Sequence, residues 1–66
     1  MSGRQQQTLR VMGRQSMTAV AVAQRLDTNV AGAQKVLDAL YRRSLVTITP
    51  MGRYSATERG RKRVAA

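Results

Sequence analysis

At 66 residues with no cysteine and no histidine, the chain has neither a disulfide nor a thiolate or imidazole zinc site open to it, so apolar packing must hold a thin core. Twelve Lys and Arg against three Asp and Glu give a formal net charge of +9, an imbalance whose usual partner is a polyanion, either nucleic acid or an anionic membrane. The longest purely apolar run, Ala19 to Ala23, is far short of the roughly 20 residues of a bilayer span, and the Gln5 to Gln7 triplet behind Arg4 is unlike the apolar core of a secretory signal, so a cytoplasmic location with no membrane partner is expected.

The expected organisation is a loose start over residues 1–4, one domain over residues 5–58 and a frayed basic tail over residues 59–66, where Arg59, Arg61, Lys62 and Arg63 crowd together. The first periodic segment, about Gln5 to Gln15, carries Leu9 and Met12 three apart with Thr8 and Val11 beside them, and reads as a short helix that Gly13 interrupts. Ser16-Met17 then forms a brief extended link. From Thr18 to Leu26, Val20 and Val22 alternate like a strand, but Ala19, Val22, Ala23 and Leu26 match a helical stripe and Thr18 is a good N-cap, so a second helix is expected. Ala21 stands where a capping box would want Glu or Gln.

Asp27-Thr28-Asn29 has the composition of a tight turn that ends on an N-cap, Asn29. The third helix, Val30 to Arg43, is the clearest: Ala33, Val36, Leu37 and Leu40 recur at helical spacing, with Gln34, Lys35, Asp38 and Arg42 elsewhere on the cylinder. After Leu45 the period changes to two. Val46 and Ile48 alternate with threonines, Pro50-Met51-Gly52-Arg53 supplies turn chemistry, and Tyr54 and Ala56 alternate with Ser55 and Thr57, which makes a β-hairpin with Pro50 at the tip and Gly52 at positive φ. Thr57-Glu58 resembles one more helix start, enough for a single terminal turn.

This order, with Met17-Thr18-Ala19 through Ala23-Gln24-Arg25-Leu26, then Leu37 and Leu40 before Arg43-Ser44-Leu45-Val46, then Gly52-Arg53-Tyr54 and Thr57-Glu58-Arg59-Gly60, resembles the winged helix-turn-helix regulators of bacteria and phages. The resemblance spans roughly Thr8 to Lys62 and implies an α+β, mainly helical fold: a three-helix winged helix-turn-helix with a C-terminal β-hairpin wing. It departs from the family at Asp27 and Ser44, where glycine is common. It further implies sequence-specific regulation of transcription on double-stranded DNA, the third helix in the major groove and the wing on the minor groove or backbone. The flank of that helix left by Ala33, Leu37 and Leu40 offers Asn29, Val30, Ala31, Gln34, Lys35 and Asp38 to base edges. Gln34 suits adenine N6 and N7, Lys35 suits guanine O6 and N7, and Val30 or Ala31 suits a thymine methyl. Backbone and wing contacts fall to Thr18, Arg25, Arg42, Arg43, Arg53, Arg61 and Lys62.

Chemistry is scarce. Asp27, Asp38 and Glu58 are the only carboxylates and show no dyad spacing, and there is neither a Walker loop nor a G-x-G-x-x-G turn, so the expectation is no enzyme, no cofactor, no metal and no small-molecule effector. Tyr41 and Tyr54 fit the core edge of the third helix and the wing strand better than the role of nucleophiles. Two alternatives stay open: an excisionase-like architectural DNA-binding factor, and a winged module that docks on an acidic protein surface. Val11, Val20, Met51 and Val64, read as left over from the core, are too few and too scattered for a large interface, so a monomer or a weak homodimer assembled on DNA is expected.

Overall fold

The computed structural model describes residues 3–64 and contains α1 (Gly3–Met12), α2 (Ala19–Arg25), α3 (Val30–Arg42), β1 (Val46–Ile48), β2 (Tyr54–Ala56) and α4 (Glu58–Val64). The class is α+β and mostly helical, with one two-stranded antiparallel sheet. No helix among the described residues is long and apolar enough to cross a membrane.

Short polar side chains start three of the helices by satisfying backbone N–H groups that have no partner within the helix. Thr18 Oγ1 accepts from the Ala21 N–H at 3.1 Å, Asn29 Oδ1 from the Gly32 N–H at 2.7 Å, and Thr57 Oγ1 from the Gly60 N–H at 3.1 Å. The Thr57 hydroxyl in turn donates to the Ser44 carbonyl at 2.7 Å, which ties the start of α4 to the exit of α3.

Left-handed residues end the helices. Gly13 (φ 54) closes α1, its N–H donating to the Leu9 carbonyl at 3.0 Å. At the end of α2 the Thr28 N–H reaches the Ala23 carbonyl (2.9 Å) and the Asp27 N–H the Gln24 carbonyl (3.3 Å); at the end of α3 the Leu45 N–H reaches Leu40 (2.9 Å) and the Ser44 N–H reaches Tyr41 (3.0 Å). Both patterns are Schellman motifs. They hold Asp27 at φ 55 and Ser44 at φ 61, a conformation that glycine takes without steric cost.

The core is built from Leu9 and Met12 of α1, Val22 and Ala23 of α2, Leu26 at its cap, Ala33, Leu37 and Leu40 of α3, and Met17, Leu45, Val46 and Ala56 from the connecting segments and strands. Thr8 is fully buried among them, and its hydroxyl donates to the Arg4 carbonyl at 2.8 Å, so no polar group there is left without a bond. Val11 and Val64 are not leftovers; both pack against the core, while Val20 and Met51 stay exposed.

In the hairpin, Val46 faces Ala56, Thr47 faces Ser55 and Ile48 faces Tyr54. The extended link of residues 16–17 does more than connect: Met17 and Tyr54 exchange two backbone hydrogen bonds, each 2.8 Å, so β2 is paired on both sides at Tyr54. This clamps the root of the hairpin to the entrance of α2.

The terminal segments differ from the expectation. Gly3 and Arg4 belong to α1, and the stretch read as a basic tail is helical through Val64; residues 1–2 and 65–66 lie outside the described residues. Packing explains the difference. Gly60 is buried where a Cβ would overlap the Leu45 carbonyl oxygen, so only glycine lets α4 lie this close to the α3–β1 corner, and the Arg61 guanidinium donates to the Ala56 carbonyl at 2.9 Å. Among the described residues there are therefore four helices: the single terminal turn expected after Thr57-Glu58 is a seven-residue helix, in addition to the three helices expected of the fold.

Candidate nucleic-acid interface

Ala33, Leu37 and Leu40 turn one stripe of α3 into the core, Val36 packs beside them, and the opposite flank of the cylinder is exposed. Asn29, Val30, Ala31, Lys35 and Asp38 are exposed, and Lys35 has open solvent before it on the same side as Ala31 and Asp38, at positions four and three residues away. Asn29 is exposed while its Oδ1 is occupied by the helix cap, which leaves its amide nitrogen as the outward donor.

Gln34 differs from its expected role. It is half-buried, and its Nε2 donates to Tyr54 Oη at 2.6 Å and to Asp38 Oδ1 at 3.0 Å. A side-chain amide that spends its donors inside the protein is poorly placed to read adenine, which needs a donor and an acceptor together. Gln34 acts instead as a strut between α3 and the start of β2. Sequence reasoning missed Tyr54 as its partner; the available signal was a tyrosine on a half-buried strand, whose hydroxyl needs a partner when the ring is covered.

Arg53 precedes that tyrosine and is exposed. The loop before it is closed by the Thr49 N–H donating to the Arg53 carbonyl (2.7 Å), the Gly52 N–H donating to the Thr49 carbonyl (2.9 Å) and the Arg53 N–H donating to Thr49 Oγ1 (3.1 Å), with Gly52 at φ 80. These bonds are those of a short hairpin loop whose last residue is left-handed, so the backbone carrying Arg53 is held on both sides while its side chain extends outward. No family model, curated protein or solved structure matches the chain. What the interface does therefore rests on its own geometry.

The remaining candidates divide by element. Thr18 is exposed at the start of α2 and Arg25 at its end, both on the helix that packs most closely with α3. Arg42 and Arg43 are exposed at the far end of α3, about 18 Å along the axis from Val30 at roughly 1.5 Å per residue, where cations also suit the negative end of the helix dipole. Arg61 and Lys62 sit apart from these, on α4, which packs against α1 and β2. The Lys62 ammonium lies 3.4 Å from Glu58 in an exposed pair of little energetic weight, and the Arg61 guanidinium is partly committed to Ala56. Among the described residues no cluster of carboxylates is placed to hold a metal.

Proposed function

We propose that the chain is a winged helix-turn-helix domain that binds double-stranded DNA sequence-specifically and regulates transcription without catalysing a reaction. In this reading the exposed flank of α3 enters the major groove, Lys35 reads guanine, and Val30 or Ala31 meets a thymine methyl. The hairpin loop brings Arg53 to the minor groove or its phosphates. The remaining phosphate contacts come from Thr18, Arg25, Arg42 and Arg43, which fix register without reading bases.

One observation carries the reading: the 2.6 Å bond from Gln34 Nε2 to Tyr54 Oη. It joins the outer side of α3 to the residue after Arg53, so the groove-reading flank and the cationic loop are neighbours fixed before any partner arrives. Preorganisation of this kind lowers the entropy lost on binding. The Met17–Tyr54 bridge adds to it by anchoring the same strand to the entrance of α2.

Selection of bound duplexes from a random pool tests the proposal. Lys35→Ala changes the selected base at one position, whereas Arg53→Ala weakens all sequences alike. With about five phosphates neutralised, log affinity falls against log salt with a slope of roughly −4 to −5. Selected motifs that are the same for the wild type and Lys35→Ala, or a slope near zero, refute it.

A further inference from the structure

The largest accumulation of charge is not on α3 or the hairpin. Arg4 and Arg10 stand on α1 and Arg14 on its exit turn, and α1 packs against α4, which carries Arg59, Arg61, Lys62 and Arg63. Seven of the twelve cations thus lie on these two helices and the exit turn of α1, opposed by one acid, Glu58. The α2, α3 and hairpin side holds the other five cations against two acids, Asp27 and Asp38.

Between α1 and α4 runs an open groove whose floor is Leu9, Gly13 and Val64 and whose rim is Arg10, Arg14 and Arg61. All three arginines are exposed, and Arg61 is oriented by its bond to the Ala56 carbonyl. From this we infer that the α1–α4 groove is a second phosphate-backbone site, so that one molecule holds two DNA duplexes together. The inference rests on the reading of α3 and the hairpin as the first DNA site.

The chemistry of the face selects its occupant. A protein partner needs apolar anchors at the centre of the contact, and a membrane surface needs apolar side chains to insert. Among the described residues the exposed large hydrophobics are Val20, Val30, Tyr41, Ile48 and Met51, none of them on α1 or α4. What this face offers is three exposed guanidinium groups lining an open groove. A phosphate backbone needs no more than that, because each cation that replaces a condensed counterion adds affinity whatever the sequence.

The test uses the full chain with two 25-base-pair duplexes, one fixed to beads and one fluorescent in solution. Wild type captures the fluorescent duplex on the beads. With three phosphates neutralised in the groove the capture step has a slope of about −2.7, so it weakens roughly 40-fold between 50 and 200 mM salt. Arg10→Gln/Arg14→Gln binds a single duplex within about twofold of wild type yet captures the second at least tenfold less. Circular dichroism melts of this variant match wild type because both side chains are exposed. Lys35→Gln/Arg53→Gln weakens single-duplex binding, and this keeps the two sites separable: if that variant binds like wild type, the first site has been misassigned.

Undiminished capture by Arg10→Gln/Arg14→Gln overturns the inference, since capture then arises from pairing of protein molecules. Equal weakening of single-duplex binding by the two double variants also overturns it, because both faces then grip one duplex.

Discussion

Gly60→Ala is the substitution whose effect the structure determines most directly. An added Cβ at residue 60 overlaps the Leu45 carbonyl oxygen and comes within 3.0 Å of the Leu45 carbonyl carbon and 3.2 Å of Leu9 Cδ2. The leucine side chain can rotate away, but the carbonyl cannot. Leu45 is held by its own N–H on the Leu40 carbonyl at 2.9 Å, and its oxygen accepts from Thr57 at 3.0 Å, so moving it disturbs both the end of α3 and the start of α4. Overpacking of this kind costs about 1–3 kcal/mol, and with backbone as the obstacle the upper end applies. The gain in helix propensity from glycine to alanine offsets about 1 kcal/mol, leaving a net loss near 2 kcal/mol. For a domain of this size that is about 8–16 °C in Tm, and it removes a large share of a total stability of roughly 3–10 kcal/mol. Thermal unfolding followed by circular dichroism measures it, with Gly3→Ala as the control, because nothing lies within 4 Å of a Cβ there. A Gly60→Ala protein that melts within about 2 °C of wild type, or above it, would refute the packing of α4 against the α3–β1 corner.

Asp27→Gly and Ser44→Gly each relieve a left-handed residue and raise stability by about 1 kcal/mol in urea titrations; a loss of stability at either site contradicts the Schellman geometry. Asn29→Ala removes the cap of α3 and lowers stability by about 1 kcal/mol, and Thr57→Ala costs at least as much, since that hydroxyl serves two bonds. Tyr54→Phe deletes the acceptor for Gln34 and weakens duplex binding severalfold with no change in the selected base, measured by fluorescence anisotropy; a change of base preference instead would make Tyr54 a reader rather than a support.

Much of the local structure was legible in the residues because its causes are local. Thr18 and Asn29 announce helix starts through side chains that reach only three residues ahead, Gly13 and Gly52 take the left-handed conformations their turns require, and the change from helical to alternating periodicity after Leu45 marks the hairpin. The exposed positions of α3 follow from the same periodicity, so Lys35 and Ala31 lie outward as expected. Gln34 was misread because its spacing is that of a surface residue, and only the approach of Tyr54 from twenty residues downstream half-buries it and engages its amide donor. The basic end was misread for a similar reason: Arg59 to Arg63 has the composition of a solvated tail, and Gly60 gave no hint that its missing side chain is what admits a neighbouring backbone.

The amino-acid order by itself determined the capped starts of α2 and α3, where the hairpin turns and a net charge of +9, because capping, turn chemistry and charge act over a few residues or over the whole chain at once. Tertiary structure alone decided which side chains share a face: it drew Gln34 inward, fastened β2 to Met17 and gathered seven cations onto α1, its exit turn and α4. The physical reason is that such pairings join residues far apart in the chain, and their geometry exists only once the core that both elements cover has closed.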